Sequence, residues 1–337
     1  MKRQTDYQHL IPDTVINAIE SAGYWSDSRI LPLNSYENRV YQVGIEVDSP
    51  IDTKGIPIIA KFYRPERWTD EQILEEHTFT QHLLDLDIPV VPPIQFKDNT
   101  LLEFEGYRFA LYERRGGQAP ELDNGDHLEV IGRFMGRIHS ASKTSDGAEL
   151  FQHRPSITTQ TYATDSRQFL LDNDFIPNSL IPAYETTSRD LIERIESAFK
   201  RIPYQSLRLH GDCHPGNILW RDDHAHFVDF DDARNGPAIQ DLWMLLSGDY
   251  QQRCLQLADI LEGYTEFCDF DPIELNLIEP LRAMRLLHYA AWLARRWNDP
   301  AFPHNFPWFN TERYWAEHVL SLREQLATLE EPVLQWL

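Results

Sequence analysis

The chain has 337 residues, 42% apolar and 25% charged, an ordinary globular composition that is too long for a single efficiently growing core. Its formal net charge of -22 speaks against a nucleic-acid binder and against docking on anionic membrane, because both need clustered Lys and Arg. Three scattered cysteines, Cys213, Cys254 and Cys268, form no Cys-x-x-Cys pair and fit a reducing cytoplasm, and no apolar run reads as a secretory signal or a transmembrane helix. The acidic field would also repel a free nucleotide, so a nucleotide site here must supply local cations or a metal. An acidic exterior would favour basic substrates.

Residues 12–22 place Val15, Ile16 and Ile19 on one helical face, with Gly23 as the stop. Strand-like runs follow near 30–36, at 39–47 and at 57–63. Over 69–86 the spacing turns helical through Ile73, Leu74, Phe79, Leu83, Leu84 and Leu86, and Pro89, Pro92 and Pro93 end that helix. Short strands near 100–104 and 107–113 complete an antiparallel sheet carrying one helix. Arg114-Arg115-Gly116-Gly117-Gln118 reads as a flexible joint, since paired glycines break either periodicity. Helical patterns then run at 126–142, 188–200, 237–248, 252–268, 272–297 and 311–330, interrupted by one strand–loop–strand island at 207–231. The expected organisation is a bilobal α+β fold: a β-rich lobe over 1–113, a hinge at 114–118 and a larger helical lobe over 119–337. No internal repeat is present.

The chemistry-bearing segment is Leu209-His210-Gly211-Asp212-Cys213-His214-Pro215-Gly216-Asn217-Ile218-Leu219, followed by Phe227-Val228-Asp229-Phe230-Asp231-Asp232. Phosphoryl transfer needs an oriented hydroxyl and cations against the phosphate oxygens. A carboxylate can accept the hydroxyl proton, and an amide oxygen with a second carboxylate can hold Mg²⁺, a cation that prefers oxygen ligands. Asp212 and Asn217 lie five apart on one loop. Asp229 ends the apolar run His226, Phe227, Val228, which predicts the returning strand of a hairpin and brings Asn217 and Asp229 to one face.

His210-Gly211-Asp212 with Asn217, then Val228-Asp229-Phe230, resembles the H-[RG]-D-x-x-x-x-N and D-F-x elements of kinase-like folds, and the glycine after His210 resembles the aminoglycoside phosphotransferase and choline kinase branch. Within that branch the chain resembles the bacterial stress response kinase A family of cytoplasmic serine/threonine protein kinases. The match is carried by residues 34–41 (NSYENRVY), 61–68 (KFYRPERW), 210–243 and 291–308. The resemblance implies Asp212 as proton acceptor, Asn217 and Asp229 as magnesium ligands and Lys61 as the lysine on the nucleotide phosphates. It further implies an acidic partner for Lys61 on the following helix; Glu76, which with Phe79 and Leu83 sets its carboxylate beside an apolar stripe, is the residue expected there, with Glu75 the close competitor. Ser35 sits where a phosphate-covering loop would turn, Glu113 lies in the joint where adenine usually binds, and Asp241 matches a buried aspartate that braces the catalytic loop. ATP and Mg²⁺ are the implied cofactors, a serine or threonine of a protein the implied acceptor, and stress response the implied role. A monomer is expected.

Two departures bear on these expectations. No G-x-G-x-x-G precedes Lys61, so a loop bearing side chains must cover the phosphates. After Asp229 a helix follows within about ten residues, without a long activation segment, which by itself favours a small-molecule kinase. Three other readings accompany the kinase: a small-molecule hydroxyl kinase, a silent nucleotide-binding scaffold, and a metallohydrolase built on the alternating His210, Asp212 and His214. Arg64 and Arg67 read equally as phosphate binders or a solvated face, Cys213 as a packing residue, and Trp292, Trp297, Phe302, Phe306 and Trp308 chiefly as helix packing.

Overall fold

The structure, a computed structural model, describes residues 3–51, 53–144 and 147–336. They form two compact units. Unit one comprises the described residues up to Pro120 together with two later insertions, Phe151–Arg154 and Pro215–Ala233. Unit two holds the remainder.

Unit one is a five-stranded antiparallel sheet, β1 (Ser26–Pro32), β2 (Arg39–Ile45), β3 (Ile58–Phe62), β4 (Leu102–Phe104) and β5 (Tyr107–Glu113), in the order β1-β2-β3-β5-β4. One face packs on α1 (Pro12–Ser21): Val15 and Ile19 meet Val43, Ile45, Ala60, Phe62, Phe109 and Leu111 in one core. On the other side Tyr63 and Ala110 pack against Ile73 of α2 (Asp70–Asp85). Helix α2 starts where it does because Thr69 and Gln72 form a reciprocal capping box. The inserted hairpin, strands Ile218–Arg221 and His224–Phe227, pairs antiparallel with Phe227 opposite Ile218. Phe227 N also donates to Pro89 O at 2.8 Å, which fastens the hairpin beside the end of α2.

Unit two contains α3 (Gly125–Ser140), α4 (Asp165–Asp172), α5 (Ile181–Arg201), α6 (Ile239–Leu242), α7 (Tyr250–Tyr264), α8 (Ile278–Arg295), α9 (Ala301–Asn305) and α10 (Glu312–Thr328). Strands Leu207–Leu209 and Arg234–Gly236 pair antiparallel within it. Helices α3 and α7 approach backbone to backbone: a Cβ at Gly132 would stand 2.0 Å from Ile260 O, and one at Gly263 2.0 Å from Glu129 O. Only glycine fits there.

Two helical expectations are corrected. The 237–248 pattern yields only α6 and a 3-10 turn at Trp243–Leu245; Leu246 then turns extended at ψ 130, and Gly248 follows at φ +85. The 272–297 pattern divides into a 3-10 turn, Pro272–Leu277, and α8, whose third residue is Pro280; there its missing N–H costs nothing. The first strand lies at 26–32 rather than 30–36, and α4 and α9 were not foreseen. Among the described residues no helix is long and apolar enough to cross a membrane.

Candidate active site

Lys61 lies in β3 between Val40 of β2 and Ala110 of β5, so its stem is buried by strands on both sides. Its ammonium reaches Asp229 Oδ1 at 2.9 Å and Asp231 Oδ1 at 3.2 Å. Burial works against the charge, but Asp229 and Asp231 overcome it and hold the Lys61 pKa well above its ordinary value. Asp231 is buried and also pairs with Arg67, which extends to Asp232 at 2.7 Å. Burial would raise the Asp231 pKa; Arg67 and Lys61 lower it instead.

The hairpin positions the two oxygen donors. Asn217 closes a 3-10 turn, Pro215–Asn217, directly before the first hairpin strand, and its carbonyl accepts from Val228 N at 3.0 Å. Asn217 and Asp229 therefore flank the open end of one two-stranded ladder. Asp229 adopts φ 61 and ψ 62, a left-handed conformation uncommon for a residue with a Cβ, and starts the 3-10 turn Phe230–Asp232. An amide oxygen and a carboxylate so placed are hard donors suited to Mg²⁺, so the residues present fit that ion. The 114–118 segment grips the same hairpin: Gln118 and Trp220 exchange two backbone hydrogen bonds, 3.1 and 2.7 Å. A Cβ at Gly117 would lie 2.8 Å from Leu219 Cβ and 2.9 Å from its carbonyl carbon.

The adjacent carboxylates Glu75 and Glu76 are used differently. Glu75 accepts from the backbone N–H of Gln152, His153 and Arg154 at 2.5, 2.9 and 2.8 Å. Glu76 is buried, and its Oε2 finds no hydrogen-bond partner among the described residues. Burial pushes its pKa up to about 7, against the pull of Lys61 and Arg154. The carboxylates paired with Lys61 are thus Asp229 and Asp231, while Glu76 acts on it through the field alone. Ser35 lies in the connection between β1 and β2. That connection is anchored by Arg64, whose guanidinium donates to Glu37 O at 2.8 Å and Tyr36 O at 3.0 Å and whose backbone N–H donates to Asn38 Oδ1 at 3.0 Å. Glu113 is the last residue of β5, opposite Ile58, with its exposed carboxylate on Arg115 at 2.8 Å.

Asp212 belongs to unit two. Its loop is held by the fully buried Asp241, whose two oxygens accept from His210 N at 2.7 Å and Gly211 N at 2.8 Å. His139 Nε2 meets Asp241 Oδ2 at 3.1 Å. Arg285 of α8 donates to Asp212 Oδ1 at 2.7 Å, and His214 Nε2 stands 3.6 Å from Oδ2. His210 is buried with its Nδ1 accepting from Asp212 N at 3.4 Å. Among the described residues no group of three His, Cys, Asp or Glu is gathered as a metal-binding cluster, so the alternating His210, Asp212 and His214 do not form the zinc-type donor set. Cys213 is buried, and burial raises its thiol pKa well above the ordinary value, which makes it a packing residue.

Sequence reasoning missed Arg154, the central cation of the loop after Asp229. It is buried, stacks over the Trp68 ring at 4.4 Å, and donates to Ala233 O at 2.5 Å, Gln72 O at 3.2 Å and Asp231 O. No local motif marks it. Asp231 and Arg285 were missed as well; Asp231 was visible as a second acid two residues after Asp229.

A model of the phosphotransferase enzyme family matches residues 29–278. Stress response kinase A of Shigella flexneri is 48% identical over 329 residues, 98% of this chain and 96% of the relative. Serine/threonine protein kinase RdoA of Salmonella typhimurium is 46% identical over the same shares. Among solved structures, amicoumacin kinase hAmiN in complex with AMP-PNP, Ca²⁺ and Ami has a TM-score of 0.70 at 17% identity, covering 93% of this chain and 94% of that one. A microcompartment-associated aminopropanol kinase has a TM-score of 0.67 at 15% identity, covering 96% and 99%. These two share the fold: an α+β kinase-like architecture of the aminoglycoside phosphotransferase type.

Proposed function

This chain belongs to the phosphotransferase enzyme family, and from that membership we propose that it is a cytoplasmic, ATP- and Mg²⁺-dependent serine/threonine protein kinase with a role in stress response. The observation that carries the reading is the union of Lys61 with Asp229 at the mouth of the hairpin that also ends in Asn217. Lys61, kept charged by two carboxylates, binds nucleotide phosphate oxygens. Asn217 and Asp229 supply oxygen ligands, and Mg²⁺ held there would neutralise charge that develops on the transferred phosphoryl group. Asp212, set by the two N–H groups that Asp241 holds, receives the proton of the acceptor hydroxyl. Ser35 touches the nucleotide phosphates, residues 114–118 receive adenine near Glu113, and Glu76 keeps the Lys61 region electronegative. Residues 1–113 then form the nucleotide-binding lobe and 119–337 the catalytic and acceptor lobe, in a monomer.

A second reading, a kinase of a small hydroxylated metabolite, draws on one observation: only the short turn Phe230–Asp232 and strand Arg234–Gly236 separate Asp229 from α6. Purified protein and its Asp212→Ala variant, incubated with labelled ATP, Mg²⁺ and a mixed protein substrate, separate the two. Label on protein serine or threonine that vanishes in the variant is the expected result. Turnover of a small alcohol with no protein labelling rejects the proposal in favour of the second reading.

A further inference from the structure

The aromatic and cationic residues around 285–308 take no part in the nucleotide chemistry, yet they begin at Asp212. Arg285 donates from Nη1 to Asp212 Oδ1. Along α8, Tyr289 and Trp292 recur on the face of Arg285, and Arg296 follows at the C-cap, the i, i+4, i+7, i+11 spacing of one stripe. Arg285 and Tyr289 are exposed, Trp292 and Arg296 half-buried. Tyr289 and Trp292 stack at 5.7 Å with planes 18° apart, and the Arg296 guanidinium lies 5.4 Å over the Trp292 ring. Buried Phe302 and Phe306 meet Trp292 from beneath at 5.1 and 5.9 Å, so the platform is rigid. In a chain with 53 acidic and 31 basic side chains, residues 280–297 hold Arg282, Arg285, Arg295 and Arg296 and no carboxylate. Arg282 of this stretch pairs with Glu279 and Arg285 with Asp212, so its guanidinium groups stand beside a few acidic neighbours in a chain that is acidic overall.

We propose that this face of α8 is the docking track of the phosphoacceptor, and that its occupant is an extended peptide segment with acidic side chains flanking the acceptor serine or threonine. The inference rests on the protein-kinase reading above and replaces the expectation of a basic substrate with its opposite. Charge complementarity carries it. A guanidinium has five N–H donors, so Arg285 can hold Asp212 and still receive a carboxylate next to the acceptor hydroxyl. The Arg285-to-Arg296 run spans about 16 Å of helix, which an extended chain covers in about five residues. A second acidic residue about five positions from the hydroxyl therefore meets Arg296, with the Tyr289–Trp292 platform taking apolar side chains between. An amino alcohol would bring its ammonium against Arg285.

The test uses the full chain with Mg²⁺ and ATP and three peptides that share a central serine. They carry Asp, Ala or Lys two and five positions away on both sides. Wild type is expected to favour the Asp peptide over the Ala peptide about tenfold in kcat/KM, since each exposed ion pair gives only about three- to fivefold. The Lys peptide should be poorest. Arg296→Glu should abolish or reverse this order, whereas Arg313→Glu, an equal charge change on exposed α10, should keep it. If Arg296→Glu does not fold, Tyr289→Glu in the exposed middle of the track must lose the same preference. Equal use of all three peptides, a Lys preference, or an Asp preference that survives these substitutions overturns the track alone. Labelling of no peptide, with or without turnover of ethanolamine or 1-amino-2-propanol, overturns the protein-kinase reading and the track with it.

Discussion

Glu75 and Glu76 are neighbours on α2, yet one is saturated with three backbone N–H donors and the other is buried with an orphaned oxygen. The difference follows from which face of the helix each occupies. Glu75 stitches the inserted 152–154 segment to unit one, and Glu76 turns toward Lys61 in the interior.

That contrast sets a pH signature. The folded-state pKa of Glu76 is raised from 4.5 to about 7, so its contribution to stability is full below about pH 4.5 and is lost as pH rises through about 7. The difference amounts to roughly 3 kcal/mol at most. Buried His77, lowered to about 3 by burial and by Lys61 and Arg154, acts the other way: its contribution is full above about pH 6.5 and disappears as pH falls toward 3. Glu76→Gln should therefore melt progressively higher than wild type as pH increases from 5 to 8, while losing activity. Thermal melts at four pH values check this, and a constant offset would reject it.

Asp229 has two separable properties, its carboxylate and its left-handed backbone. Asp229→Ala and Asp229→Gly should both lose activity by about a thousandfold, through loss of the proposed oxygen ligand and of the Lys61 ion pair. The Gly variant should nevertheless be about 1 kcal/mol the more stable, because φ 61 is free for glycine alone. Equal melting of the two variants would show that the strain is not there.

Arg154 donates to three carbonyls from a site with almost no solvent. Arg154→Met should cost about 3 kcal/mol, since it strands those carbonyls and leaves Asp231 short of a cation. Arg154→Lys should rescue little of it, for an ammonium cannot reproduce the planar fork. Chemical denaturation of the three proteins provides the comparison.

Gly263→Ala puts a methyl 2.0 Å from Glu129 O, a contact that only a shift of α3 from α7 can relieve. The expected loss is about 3 kcal/mol. Gly125→Ala, at the half-buried start of α3 where the nearest atom is the end of the Asp259 side chain, should cost far less.

Much of the geometry was legible because it is local. The run 57–63 reads as a strand, and the island 207–231, with its returning run His226, Phe227 and Val228, reads as a hairpin; strand pairing then sets Asn217 near Val228. Chain-distant relations were not legible. Nothing near Arg154 predicts that it serves the loop after Asp229, and nothing near Arg285 predicts that it grips Asp212. The 237–248 pattern overreads α6 because its apolar periodicity continues where Leu246 turns extended and Gly248 takes a positive φ. Glu76 was chosen over Glu75 from its apolar stripe, a helical argument; that Lys61 would pair instead with Asp229 and Asp231 required the fold.

The hairpin that fastens to Pro89 and Gln118 emerges from the ribosome long after them. Unit one is thus interrupted in synthesis: once Pro120 has appeared, 113 more residues must follow before Ala233 completes it. At ordinary translation speeds of about 5–20 residues per second, unit one waits about 6–23 s with the backbone groups of Pro89 and Gln118 lacking their hairpin partners. This interval is long enough for a nascent-chain chaperone to matter, and it means that a fragment ending at Pro120 is an unfinished body rather than a portable module.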